Sequence, residues 1–161
     1  MKDRATELDA DRGSRVVTLT IPAKPEYITL SRLALTGLSH VRPLAEETLA
    51  ELKLALTEAT SNSVRHAYAN GEGRVQISFE LCEDRLVVEV SDDGSGFPAR
   101  GLDGQDADRQ DPARQSDASV SREEELSEGG LGIAIIRSIA DELVLDSEPQ
   151  GGSRLRFVKL L

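Results

Sequence analysis

The run from Leu49 to Tyr68 constrains the fold of this chain more than any other stretch. Leu49, Leu52, Leu56 and Ala59 step by three and four, the spacing of a single buried stripe, so the segment reads as one long helix. Glu58, Asn62 and His66 recur every four residues and share another face of it. Ser61, Asn62 and Ser63 fall in mid-helix, where short polar side chains compete with the backbone hydrogen bonds and lower helix propensity. A solvated face would more cheaply carry Lys, Glu or Ala. The helix alone leaves two readings open, an ordinary wet face or a site built on Glu58 and Asn62.

What surrounds the helix reads as strands and turns. Residues 1–15 mix acids, bases and small residues without periodicity and read as a flexible tail. Val16 to Ile21 alternates as a first strand ending at Pro22, and Pro25 opens a helical pattern with Ile28, Leu30, Leu33 and Leu38 apolar and Arg32 turned away from them. His40 then falls in a loop, Pro43 leads into the long helix, and Asn70-Gly71 closes it. Val75, Ile77, Phe79 and Leu81 alternate with polar residues, and Leu86 to Val90 returns as the antiparallel partner. Ile133 to Leu143 reads as an amphipathic helix, Val144-Leu145 begins a strand, Gln150-Gly151-Gly152 turns, and Ser153 to Leu160 is the last strand. The order β-α-α-β-β-α-β-β predicts an α+β two-layer sandwich, with a mainly antiparallel mixed sheet covered by helices on one face. Residues 16–161 form its single domain.

Composition matters most between Ala99 and Glu128. Nine acids against four arginines give this segment −5, half of the chain's net charge of −10. Its large apolar residues are Leu102, Val120 and Leu126, too few to order it on their own, and a stretch of this length inside a compact domain reads as a lid. The acidic balance, with no Lys/Arg cluster, argues against direct nucleic-acid binding. One cysteine, Cys82, allows neither an intramolecular disulfide nor a cysteine zinc site, and two histidines are too few for a histidine metal cage. Met1 to Arg15 lacks an apolar core of the signal-peptide kind, and no aliphatic run spans a bilayer, so the chain reads as cytoplasmic.

Four short elements carry chemistry: Glu58-x-x-x-Asn62 on a helix, Asp92-x-Gly94-x-Gly96 after a strand, Gly130-Leu131-Gly132 before a helix, and Gly152-Ser153 before a strand. A helix that opens just after glycines offers free N–H groups and a positive dipole end to phosphate. Glycines at 94 and 96 allow close backbone approach to a flat ligand, and an Asp at a strand end accepts from an exocyclic amino group. The amide oxygen of Asn62 suits Mg²⁺, and a carboxylate one turn earlier can take the proton of an attacking hydroxyl. The chain lacks the P-loop and dinucleotide-binding glycine patterns.

With these motifs in this order, the chain resembles the GHKL ATPases of the Bergerat nucleotide fold. More narrowly, Ile21-Pro-Ala-Lys-Pro-Glu-Tyr27, Glu58-Ala-Thr-Ser-Asn62, His66-Ala-Tyr68, Leu126-Ser-Glu-Gly-Gly-Leu-Gly132 and Asp141-Glu142 resemble the bacterial anti-sigma-factor serine/threonine kinases, closest to their general-stress branch. The resemblance covers roughly residues 16–161. It implies an ATP- and Mg²⁺-dependent kinase that holds a sigma factor and phosphorylates its anti-anti-sigma, STAS-type antagonist, working as a homodimer. It implies Asn62 as the Mg²⁺ ligand and Glu58 as general base. Asp92 would read adenine, Gly94 and Gly96 would make room for the ring, and Gly130, Leu131 and Gly132 would wrap the phosphates. Ser153 would stand near adenine where the family often has Thr, and Arg32 would face the protein partners. His66 reads as structural. A sensor histidine kinase would need a phospho-accepting His on a dimerising hairpin ahead of the domain, and the gyrase and chaperone branches carry a transducing domain after it. The alternative in a different class is a nucleotide-gated regulatory binding module without kinase activity.

Overall fold

The computed structural model describes residues 14–68, 72–94, 130–147 and 151–161. The expectations for the N-terminal tail before residue 14, the Asn70-Gly71 helix end, Gly96 and the 99–128 lid fall outside these residues. In chain order the elements are β1 (Arg15–Pro22), a single 3-10 turn (Pro25–Tyr27), α1 (Ile28–Val41), α2 (Glu46–Tyr68), β2 (Arg74–Leu81) and β3 (Arg85–Asp92). They continue with α3 (residues 130–139), β4 (Glu142–Ser147) and β5 (Ser153–Leu160). The strands form one sheet in the order β1-β2-β3-β5-β4. Every pairing is antiparallel, so the sandwich is the expected one, with no parallel pair among the described strands.

The register makes the inner face a set of rows. Val17, Phe79, Val88, Phe157 and Leu143 stand opposite one another across all five strands, and Leu19, Ile77, Val90, Leu155 and Leu145 form the next row. Phe79, Val88, Phe157, Ile77 and Val90 have no solvent exposure, and burying each such side chain stabilises the fold by about 1.5–3 kcal/mol. Onto these rows α2 lays Leu52, Leu56 and Ala59, all buried, together with the half-buried Leu49. The stripe read from the sequence is therefore the core-facing stripe of the long helix. The third row reads Ile21, Val75, Asp92, Ser153, Ser147. Its parity aims Asp92 and Ser153 at the helical layer, where the two preceding rows carry aliphatic and aromatic side chains. The core ends there and becomes polar.

Two helical expectations need correction. On α1 the buried side passes through Ile28, Ser31, Leu35 and Leu38, steps of three and four that include the small Ser31, whose hydroxyl donates to the Ile28 carbonyl at 2.7 Å. Leu30 and Leu33 lie on the far side, 42% and 59% exposed. The helix also runs past His40, which is no loop residue; its ring nitrogen meets the Thr36 carbonyl at 2.8 Å. The second correction concerns α3, whose described part is helical over residues 130–139. Gly130 and Gly132 lie within this helix and not before it, and Leu143 already belongs to β4. The Ala140 amide makes the last helical bond, to Ile136, and the next amide, Asp141, turns to the Val158 carbonyl of the sheet.

Candidate active site

Asp92 and Ser153 face each other at the end of the β3–β5 ladder. The Ser153 hydroxyl donates to Oδ2 of Asp92, and Oδ1 accepts the Gly94 amide at 2.9 Å. Asp92 is 9% exposed and Ser153 1%. A carboxylate this buried needs such charge-assisted bonds to offset lost hydration. Each oxygen keeps a further lone pair, so the pair can still accept from an amino group on a ligand edge.

The backbone around this pair is drawn tight by glycine. Gly152 has φ +103°, and a side chain there would run into the Asp92 carbonyl. Gly151, at φ +92°, lies over the Gly94 carbonyl, 3.2 Å from an ideal Cβ. A Cβ on Gly94 would come within 2.6 Å of the His66 carbonyl oxygen, and one on Gly73 within 2.8 Å of Ala67 Cβ. Thus Gly73 and Gly94 hold the last turn of α2 between them. The first demand on Gly94 comes from α2 itself. Gly73 was missed in the sequence; its only signal is a second glycine following Gly71 at the start of a strand.

The other half of the site lies between α2 and α3. Asn62 is 5% exposed and Glu58, one turn earlier, is half-buried. Gly132 packs on both: an ideal Cβ there would lie 2.9 Å from Glu58 Oε2, 3.4 Å from Asn62 Nδ2 and 3.7 Å from Asn62 Oδ1. At the far end, Lys159 Nζ donates to the Ile139 carbonyl at 2.9 Å and pairs with Glu51 Oε2 at 3.3 Å. Lys159, also unremarked in the sequence, thereby ties the last turn of α3 to the level of Glu51 on α2. Hence α3 runs back along α2, with residue 132 at the Asn62 end and residue 139 at the Glu51 end. The polar residues in α2 cost no unmet bonds: Thr60 Oγ1 donates to the Leu56 carbonyl at 2.7 Å. Among the described residues, no buried side-chain nitrogen or oxygen lacks a partner.

Glu58, Asn62 and Gly132 thus form one cluster and Asp92, Gly94, Gly152 and Ser153 another, joined where Gly94 meets the end of α2. Gly130 would admit a Cβ with nothing within 4 Å, and Leu131 is 64% exposed. Arg32 is exposed on α1, outside these two clusters, and His66 contributes its backbone to the Gly94 contact. Among the described residues no group of three or more His, Cys, Asp or Glu side chains is arranged to hold a metal. A divalent cation here would need Asn62 together with ligand oxygens and water.

The buried Asp92–Ser153 pair at one end and the contact of α3 with Glu58 and Asn62 at the other belong to one α+β sandwich. The chain belongs to the histidine kinase-like ATPase domain family, an ATP-binding family whose model matches residues 21–159. It is 35% identical over 130 residues to the serine-protein kinase RsbW of Listeria innocua, covering 80% of this chain and 78% of that one. It is 34% identical over 134 residues to RsbW of Bacillus licheniformis, covering 82% and 78%. Among solved structures, the SiaB–SiaC complex from Pseudomonas aeruginosa has the same fold, with a TM-score of 0.62 at 18% identity over 96% of this chain and 95% of that one. Among the described residues no helix is long and apolar enough to cross a membrane.

Proposed function

We propose that this chain is an ATP-dependent protein serine/threonine kinase of the anti-sigma type, which holds a sigma factor and phosphorylates that factor's STAS-type antagonist in the cytoplasm. The observation that carries the reading is the contact of Gly132 on α3 with Glu58 and Asn62. It supports a phosphate-binding backbone, a candidate Mg²⁺ ligand and a carboxylate lying within a few ångströms of one another. RsbW relatives named as serine-protein kinases over four-fifths of the chain support the same activity.

In this reading Asp92 and Ser153 accept hydrogen bonds from the adenine amino group, with the backbone of Gly94 alongside the ring. The amides at Gly130, Leu131 and Gly132 would hold phosphate oxygens, and Asn62 would hold Mg²⁺. ATP supplies the γ-phosphoryl group, and Mg²⁺ would offset its charge. Glu58 takes the proton of the incoming serine or threonine hydroxyl as that oxygen bonds to phosphorus and the bond to ADP breaks. Incubation with Mg-ATP and purified STAS proteins encoded nearby is expected to yield phosphoserine or phosphothreonine on one of them. Tight nucleotide binding without transfer to any would make the chain a nucleotide-gated binding module.

Arg32, exposed on α1, is the proposed partner contact. Arg32→Glu is expected to weaken sigma-factor capture at least ~10-fold at unchanged ATP affinity, the range of a moderate interface residue. Wild-type capture would remove Arg32 from the interface. A homodimer is proposed through β1, an edge strand among the described residues, with Val16 and Val17 60% and 43% exposed; such an edge invites pairing. Light scattering that reports a monomer at all concentrations would exclude it.

A further inference from the structure

Gly130 and Gly132 stand two residues apart in α3, yet their surroundings differ. A Cβ on Gly130 meets nothing within 4 Å, whereas a Cβ on Gly132 would press on Glu58 Oε2 at 2.9 Å and on Asn62 Nδ2 at 3.4 Å. Gly132 lies in helix, and its φ is not among the positive values of the described glycines, so its backbone gives no reason to refuse alanine. Alanine is the better helix former. What excludes it is the space taken by Glu58 and Asn62.

The atom struck first is the far end of a flexible side chain and not backbone. The fold would therefore tolerate the extra methyl, and the carboxylate would yield. We infer that Gly132 is a positioning residue, whose missing side chain lets the Glu58 carboxylate occupy the place from which it receives the substrate proton. This rests on the proposed role of Glu58 as base. It assigns Gly132 a task separate from offering an amide to phosphate, because the amide survives replacement by alanine.

The test is Gly132→Ala in the full chain, read in three ways. The ¹³C resonance of the Glu58 carboxyl, without nucleotide, is expected to move. Thermal unfolding is expected to stay near wild type, while single-turnover phosphoryl transfer at saturating Mg-ATP falls ~10–10²-fold, the cost of moving a reacting group by a fraction of an ångström to one ångström. Adding Glu58→Asp, which withdraws the carboxylate by one methylene, is expected to make the further cost of the alanine small, a coupling that a merely destabilised helix would not produce. An unmoved Glu58 resonance, or a loss of transfer explained by lost ATP affinity, would overturn the inference. Loss of transfer by Glu58→Gln alongside normal transfer by Gly132→Ala would also overturn it and leave the base in place. If Glu58→Gln transferred normally, the role of Glu58 itself would fall.

Discussion

The two halves of the site are built by different means. The Asp92 half is a product of sheet register: β3 ends level with the start of β5, Gly152 and Gly94 allow backbone to lie on backbone, and Asp92 and Ser153 fill core positions of the third row. The Glu58 half is a helix-on-helix contact in which Gly132 meets the ends of two side chains. Errors in the first half must be absorbed by backbone, which has nowhere to go. Errors in the second are absorbed by side chains that move. Damage to the first half should therefore appear as lost stability and lost base recognition together, and damage to the second as lost chemistry in a folded protein.

The sharpest break in that comparison is Glu58→Gln. It keeps the shape and most hydrogen bonding of the side chain but cannot take a proton. Phosphoryl transfer is expected to fall ~10²–10⁴-fold with ATP affinity unchanged, a smaller loss meaning that Glu58 chiefly orients the hydroxyl. A parallel loss of folding stability in urea would show that the two halves do not separate as argued.

Gly152→Ala should do the reverse. A residue at φ +103° whose Cβ collides with the Asp92 carbonyl is strained in both backbone and packing. Unfolding in urea is expected to show a loss of about 2 kcal/mol or more. ATP affinity is expected to fall with it, because Ser153 is displaced from Asp92. Retained stability would mean that the β5 entry can shift, and that the adenine half is as adjustable as the phosphate half.

These contrasts were unevenly legible in the sequence. Periodicity within α2, β2 and β3 is local, so the core stripe and the two strands could be read directly. The parity that turns Asp92 and Ser153 inward follows from the same alternation. The face of α1 was misread because Leu30 and Leu33 are apolar, although the steps through Ile28, Ser31, Leu35 and Leu38 are the ones that hold a constant direction. The glycines were the hardest. Gly94 and Gly73 are shaped by the end of α2, and Gly132 by Glu58, more than seventy residues away in the chain. A glycine in a sequence announces backbone freedom or a close neighbour, and only tertiary packing tells which.

Asp92→Asn probes the adenine half more gently. One amide atom must then face either the Ser153 hydroxyl or the Gly94 amide. With Oδ toward Gly94, the Asn NH₂ meets a hydroxyl that can turn to accept; the reverse sets donor against donor. Stability is expected to drop by about 1–2 kcal/mol for the lost charge-assisted bonds, and preference for ATP over GTP is expected to narrow. Unchanged preference would take Asp92 out of base recognition.

Ser153→Ala is the smallest and most discriminating step. The serine is 1% exposed and gives its hydroxyl to Asp92 Oδ2, so alanine removes one donor and leaves little more than the space of an oxygen. Oδ1 still holds the Gly94 amide, which keeps the carboxylate in its turn. The expected loss in unfolding free energy is about 0.5–1.5 kcal/mol, the worth of one hydrogen bond. If Ser153 also meets the adenine, ATP and ADP affinities both fall, ~3–10-fold for one bond. A stability loss with intact affinity would make Ser153 a support for Asp92 and nothing more. A loss of affinity with intact stability would place the hydroxyl on the ligand, with Oδ2 rehydrated or bonded elsewhere in the free protein. Titration calorimetry beside urea unfolding on the same variant separates the two.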